Sequence, residues 1–514
     1  MNIKLYIDYL FLIILGSLTS LSLPPFNYFF INFFTFTFFL LFLIHRSNQN
    51  INNKLFFFYG CLFGFGYFIT NLYWISISLT HDPNFRFLIP VSIILIPAFL
   101  SLFYGLIAFF FKILKPKSMI NSFLVFSLIF GILEFVRGSI LTGFPWNLIV
   151  YSLSNQLEVL SITSIIGTYG LNLFSISLFS SPALLILQFN KKNLGVVLLF
   201  LMLTIIFYIH GFNYKERFQK IVPETYDYKI RSIGSNIGLN RFYSNIDTIS
   251  VIKDLIKISE PRPSDKTIFI WPEGIIPNTI KEDLKEYSWI FEENFSQNHI
   301  LILGISSQVV KNGSKNYFNS LSVYDNKLNL LNSYNKINLV PFGEFLPFEN
   351  FLKKVGLRSL TNNYQSFSKG DERKAIEIIQ PNITIKFLPL VCYEIIYSGT
   401  LFNNLDFDFI INISEDGWFG QSIGPKQHFV HSIFRAIESG KYIIRSSNNG
   451  IAGIINPLGN IEKNVNYGDT GYVDLKQIRT IQPTIFSIHG NKIFGILILL
   501  YIFLIFSFKK IKYE

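Results

Sequence analysis

The feature that most constrains this chain is a series of apolar runs. Before Lys215, seven stretches approach the roughly 20 residues that a helix needs to cross a bilayer. They are Leu5 to Leu23, Phe30 to His45, Leu55 to Leu79, Phe87 to Phe111, Phe123 to Ile140, Leu160 to Leu187 and Leu194 to His210. An eighth, Ile493 to Phe508, closes the sequence. Only 15% of the residues are charged, against about a quarter in soluble domains. The pattern predicts a membrane protein with eight transmembrane helices. The first run lacks a small-residue cleavage site and is followed by Pro24-Pro25. It reads as a retained helix and not as a signal peptide.

Basic residues in the short connections set the orientation. With a cytoplasmic N-terminus, the inner side carries Lys4, Arg46, Lys54, Lys112, Lys115, Lys117, Lys191, Lys192, Lys509, Lys510 and Lys512. The outer connections carry only Arg86 and Arg137. Seven crossings then place the segment from Lys215 to Thr484 outside the cytoplasm, and the eighth returns the tail. The net charge of +11 is thus mostly topology, and no nucleic-acid partner is expected. Three parts follow: a membrane domain over 1–214, an extracytoplasmic domain over 215–487, and a last helix with its basic tail over 488–514.

Within the middle part, charged residues become frequent and apolar runs shrink to strand length. Short β-type runs recur at Thr267 to Trp271, Ile300 to Ser306, Ser320 to Asp325, Ile383 to Cys392, Phe407 to Ser414, Tyr442 to Ser447 and Ile451 to Pro457. Helical patterns alternate with several of them, as in "DTISVIKDLIKIS" and "GPKQHFVHSIFRAIESG". That alternation argues for an α/β domain with buried sheets.

The whole chain has two cysteines, Cys61 and Cys392. Cys392 alone lies in the outer domain, where pairs would oxidise. It is either a buried apolar thiol or a used one. Glu273, Lys336 and Cys392 each sit at the end of a strand pattern, where α/β folds place reacting groups. A carboxylate can take a thiol's proton, and an ammonium favours the thiolate and an oxyanion. A solvated Glu, a solvated Lys and a core Cys are the plain alternatives, and spacing alone leaves them open.

"IWPEG", "YNKINLVPFGEFLP" and "LVCYE", in this order, resemble the nitrilase superfamily, whose shared site is Glu-Lys-Cys. With eight helices around that domain, the chain resembles the apolipoprotein N-acyltransferases. "GWFG" from Gly417, "PKQHF" from Pro425 and "RSSNNGIAGII" from Arg445 fit the same resemblance. It implies a four-layer αββα sandwich with Glu273 as general base, Lys336 as oxyanion and thiolate stabiliser, and Cys392 as nucleophile. Glu344 matches a further glutamate near the site, and Tyr393 and Glu394 match residues beside the nucleophile. Trp418, in "GWFG", joins the supporting set. "SNIGLNRFY" aligns Phe242 or Tyr243 with a functional Trp of the family, so an aromatic is kept without the indole. Glu415 stands where the family usually has Asn.

The resemblance implies a two-step acyl transfer. Cys392 would take a fatty acyl chain from a membrane phospholipid. The thioester would then acylate the α-amine of a diacylglyceryl-cysteine at an apolipoprotein's N-terminus. The implied location is a bacterial inner membrane, with the catalytic domain on the periplasmic side. No cofactor is expected, and no Cys or His cluster has metal spacing. His428 and His431 read as ordinary surface or core histidines. "FLPFENFLKKVGLRSL" (Phe345 to Leu360) reads either as a lid dipping into lipid or as a solvated helix. The competing functions are a membrane-tethered amidase acting on a small amide or nitrile, a non-catalytic lipid or lipoprotein carrier, and a transporter. Glu134 and Arg137 are the main ionisable residues that a transporter would have inside its helices.

Overall fold

The computed structural model describes residues 3–510, apart from 115, 244–245, 312, 355–365, 381–382 and 403. The chain divides into two compact units. One comprises Met1–Thr80, Asn84–Arg217 and Thr484–Glu514; the other comprises His81–Pro83 and Phe218–Pro483.

The first unit is helical. The apolar runs of the sequence lie largely in helix, beginning with Ile3–Thr19 and ending with Lys492–Lys510; Leu160 to Leu187 is interrupted by a kink at Gly167. Among the described residues, six spans are long and apolar enough to cross a membrane: Leu5–Ser22, Asn53–Thr80, Pro83–Leu114, Met119–Ser139, Thr163–Leu187 and Lys191–Gln219. Ile31–Ser47 and Lys492–Phe508 are apolar but shorter. Helix Lys191–Gln219 exposes Leu198, Met202, Ile205 and Ile209, an apolar face suited to lipid and costly in water. The chain is a multi-pass membrane protein. Small residues let its helices approach closely. A Cβ on Gly60 would sit 2.2 Å from the carbonyl oxygen of Tyr104.

Glu134 and Arg137 are both buried and pair at 3.1 Å one turn apart. Arg137 also donates to the carbonyls of Phe144 and Asn147. Its donors therefore hold the turn after helix Met119–Ser139 in place, which offers no support to a transport pathway.

Twelve strands among the described residues build the second unit: β1 (Glu224–Ser235), β2 (Thr267–Ile270), β3 (His299–Lys311), β4 (Ser314–Tyr324), β5 (Leu330–Asn335), β6 (Ile376–Gln380), β7 (Ile383–Val391), β8 (Phe409–Glu415), β9 (Tyr442–Asn448), β10 (Ala452–Ile455), β11 (Ile461–Val465) and β12 (Gly471–Ile478). The main path runs β5-β4-β3-β2-β1-β9-β8-β7-β6. β10 and β11 extend from β9, and β12 pairs with β1.

The pairs β1–β2, β2–β3, β7–β8, β8–β9 and β1–β9 are parallel. Parallel strands share one carboxyl edge, and β2, β7 and β8 end there at Ile270, Val391 and Glu415. β5 joins them by two reversals, since β3–β4 and β4–β5 are antiparallel. The sheet curls until its ends meet, with β4 against β7 and β5 against β6. This barrel-like closure brings strands from opposite ends of the path to one site.

Buried parallel strands read as continuous apolar runs. "FIINISE" in β8 and "YIIRSSN" in β9 are wholly buried. Helix Thr248–Ser259 packs over β1–β3 through Val251, Ile252, Leu255 and Ile256, at helical spacing. Asp247 caps it by accepting from the N–H groups of Ile249 and Ser250. Trp271 lies in the same core and donates to Ser259 Oγ at 2.9 Å.

Candidate active site

Glu273 follows β2 by three residues. Lys336 follows β5 directly. Cys392 follows β7 directly and opens a short 3-10 turn, Cys392–Ile396. Its φ of +50° is the left-handed conformation that non-glycine residues rarely adopt. A strand ending in such a turn presents the side chain at the sheet's edge, as nucleophile elbows do.

All three side chains are buried, at 7% exposure for Glu273, 1% for Lys336 and 7% for Cys392. The solvated alternatives for Glu273 and Lys336 therefore fall away. Lys336 Nζ donates to Glu344 Oε1 at 2.9 Å and to Glu273 Oε1 at 3.4 Å. Asn319, on β4, donates 2.7 Å bonds to both of these oxygens through one amide nitrogen. Glu344 Oε2 accepts from the Val340 N–H, and Glu273 Oε2 from the Glu415 N–H. The two carboxylates are thus cross-linked by one ammonium and one amide.

The electrostatics follow from this packing. Burial opposes the Lys336 charge, but Glu344, Glu273 and the Cys392 sulfur together raise its pKa, so it stays an ammonium. Burial pushes the Glu344 carboxyl up, with Lys336 opposing and Glu273 adding to the rise. Burial and then the Glu273 charge push the Cys392 thiol well above its ordinary value. Lys336 and a bond with Ser414 pull the other way. These influences favour a protonated thiol at rest, with Lys336 kept as a cation beside it.

Glu394 ties the site's two walls together. Its Oε1 accepts from Tyr334 Oη, the N–H groups of Ile337 and Asn338, and Arg373. Its Oε2 accepts from the Val391 N–H. One carboxylate thereby fastens the loop after Lys336 to the turn of Cys392. Burial works against its charge, but Arg373 and these N–H groups outweigh that and hold its pKa low. Tyr393, beside it, packs edge-to-face on Tyr397 at 5.7 Å between ring centres.

Phe242, Tyr243 and Trp418 form an aromatic cluster. Phe242 stacks on Trp418 at 5.5 Å, and Tyr243 meets the same indole edge-on at 6.4 Å. Arg241 lies under Phe242, 4.3 Å from the ring centre, and is ion-paired with Glu415. Glu415 is buried and also accepts from Asn448 and the Gly417 N–H. It does not face solvent.

Asn319 and Arg373 carry much of this architecture outside any quoted motif, and Arg241 does so from within "SNIGLNRFY", where only its aromatic neighbours are singled out. Each is read only through the partner it meets in space. His428 and His431 are both buried. Cys392, Asp416 and His428 bring donor atoms within 4.8 Å of one another. Arg445 already occupies Asp416, through bonds of 2.9 and 3.1 Å. A cation there would face a fixed guanidinium, so this donor set does not fit a metal. Of the segment Phe345 to Leu360, Glu349–Lys354 is helical and residues 355–360 lie outside the described ones.

The fold and the site define a membrane-bound protein with an α/β domain of the carbon-nitrogen hydrolase, or nitrilase, type. Residues 262–479 match the family model of carbon-nitrogen hydrolases. Residues 15–180 match the N-terminal domain of apolipoprotein N-acyltransferase. An apolipoprotein N-acyltransferase of Rhodopseudomonas palustris is 31% identical over 513 residues, covering 96% of this chain and 94% of that one. Its counterpart in Brucella melitensis is 29% identical over 89% of this chain and 87% of its own length. The solved amidase from Nesterenkonia sp. aligns at 11% identity with a TM-score of 0.31, over 50% of this chain and 93% of the amidase. The chain belongs to the apolipoprotein N-acyltransferase family.

Proposed function

We propose that this protein moves a fatty acyl chain from a membrane phospholipid, through a thioester on Cys392, to the α-amine of an apolipoprotein's diacylglyceryl-cysteine. The observation that carries the reading is the buried pairing of Glu273 and Lys336, whose charges both act on the Cys392 thiol. In step one, Glu273 takes the thiol proton as sulfur attacks the ester carbonyl. The S–C bond forms, and the charge moves from Glu273 to sulfur and then to the carbonyl oxygen. Lys336 stabilises each of these anions. Collapse breaks the ester C–O bond, and Glu273 returns its proton to the leaving lyso-phospholipid oxygen. In step two the acceptor amine attacks the thioester. Glu273 accepts a proton from it, the C–S bond breaks, and Cys392 regains its hydrogen. The sum is ester plus amine giving alcohol plus amide, with the enzyme unchanged.

Glu344 and Glu394 act here as positioning groups, the first on Lys336 and the second on the nucleophile's turn. The Phe242, Tyr243 and Trp418 cluster offers an apolar surface for a lipid-bearing substrate. Confinement to a bilayer favours the pairing of two acylated substrates, since it raises their effective concentration. We take all eight apolar helices as crossings of a bacterial inner membrane, with a periplasmic catalytic domain over 215–487 of four-layer αββα form. Water as acceptor would instead give an amidase or esterase.

Intact mass spectrometry tests the proposal. The full-length protein in detergent is incubated with phospholipid, beside Cys392→Ala. The expected result is a fatty-acyl adduct that needs Cys392 and that a diacylglyceryl peptide discharges as an N-acyl product. An adduct that decays to free fatty acid regardless of peptide would overturn the transferase in favour of a hydrolase. No adduct at all would overturn the thioester.

A further inference from the structure

Behind Cys392 lies a buried polar network that the reaction scheme above does not use. Asp416 accepts from Ser414 Oγ at 2.7 Å and from Arg445. Arg445 also bonds Asn412. Asn412 Nδ2 and His428 Nε2 both approach the carbonyl oxygen of Cys392, at 3.5 and 3.3 Å. His428 Nδ1 lies 2.8 Å from Asp416 Oδ1 and 3.0 Å from Arg445 Nη2.

These distances restrict where the His428 protons sit. With hydrogen on Nδ1 alone, the ring bonds Asp416 but faces both the Arg445 donor and the Cys392 carbonyl wrongly. With hydrogen on Nε2 alone, it donates to the Cys392 carbonyl and accepts from Arg445, but sets its Nδ1 lone pair against Asp416 Oδ1. The cation would donate to Asp416 and to the carbonyl, but would face Arg445. The two forms that satisfy two of the three contacts both carry the Nε2 hydrogen. Burial, and then Arg445, lower the ring's pKa, which selects the neutral one.

A trans peptide points its C=O and the next N–H in opposite directions. We infer that His428 is a positioning residue that pins the Cys392 carbonyl inward and so aims the Tyr393 N–H outward, as a backbone donor to the oxyanion formed at the thiol. The inference rests on the thioester reading above. It also accounts for the left-handed φ of Cys392: a conformation that costs energy persists only where its surroundings hold it.

Two rates separate this role from thiol activation. Alkylation by iodoacetamide needs the thiolate but no oxyanion donor. Acyl-adduct formation from phospholipid needs both. His428→Phe removes the donor at similar volume, and His428→Gln restores an N–H. In His428→Phe we expect acyl-adduct formation to fall on the order of 10-fold or more, as for a lost or misaimed oxyanion donor. The pH profile of alkylation should be unchanged, and His428→Gln should recover part of the loss. Unchanged acylation in His428→Phe would overturn the inference. A parallel fall in both rates would overturn it too, because the role would then lie in the thiol or in the fold. If His428→Phe does not fold, Asn412→Asp replaces it, turning the second donor into an acceptor while keeping a partner for Arg445. Slowed acylation at an unchanged limiting alkylation rate would then carry the same meaning, and equal slowing or none would overturn the inference. An adduct missing from the wild type is a different result, which removes the thioester reading itself.

Discussion

Lys336→Met and Glu344→Gln, made singly and together, should separate what Lys336 does for the fold from what it does for the reaction. Lys336 Nζ lies 2.9 Å from one carboxylate oxygen and 3.4 Å from another. At an effective dielectric of about 20, these distances give gross attractions of about 6 and 5 kcal/mol. Desolvation of three buried groups offsets most of that. Removing one member of such a set costs about 3–5 kcal/mol, because the remaining charges are left buried and unpaired. In Lys336→Met, two carboxylates would share Asn319 with no cation, so one should take up a proton at neutral pH. Glu344→Gln removes one of the two, and the double variant should be less destabilised than the sum of the singles by about 2–3 kcal/mol. Activity should not follow stability. Acyl-adduct formation should fall on the order of 10²–10³-fold in Lys336→Met, and in the double variant as well, because no cation returns to the sulfur. Urea titration of the full-length protein in detergent reads the first quantity, since Trp271, Trp289 and Trp418 lie in the second unit. Intact mass reads the second. Additive stability effects, or a double variant that regains acylation, would refute the reasoning.

Three further outcomes follow from the same geometry. The Glu273 charge raises the Cys392 pKa, so Glu273→Gln should shift the alkylation profile of Cys392 to lower pH while abolishing turnover; a shift to higher pH would contradict the charge assignment. Glu394 has its pKa depressed in the folded protein, so its stabilisation is present above the unfolded value of about 4.3 and fades as pH falls through the folded one. The Tm advantage of the wild type over Glu394→Gln should therefore be full near neutrality and shrink in acid; a constant gap would count against it. Glu415→Gln leaves buried Arg241 without its charged partner and should cost about 3–5 kcal/mol, with a change in Trp418 emission as the Phe242 stack loosens; an unshifted urea midpoint would show that the pair carries no such weight.

The sequence by itself determined whatever depends on local pattern. Apolar runs fixed the membrane helices, because no soluble core can hide so many of that length. β2, β7, β8 and β9 were legible because strands buried in a parallel sheet are continuous apolar runs. Helix Thr248–Ser259 showed through its 3.6-residue period. Three motifs in order marked Glu273, Lys336 and Cys392. Less was visible in β1, β5, β11 and β12, whose exposed positions dilute the apolar signal. Only the tertiary structure decided how the site is wired. Asn319 meets two glutamates, one 46 residues and the other 25 residues away in sequence. Arg373 reaches Glu394, Arg241 reaches Glu415, and His428 reaches the Cys392 carbonyl. Glu415, which stands where the family usually has Asn, is half of a buried ion pair with Arg241. None of these contacts leaves a periodic trace, because a polar residue's partner is set by how the sheet closes. The closure that brings β5 to β6 and β4 to β7 is what carries Lys336 to Cys392. It is a property of the whole curled sheet, and no segment of the chain encodes it alone.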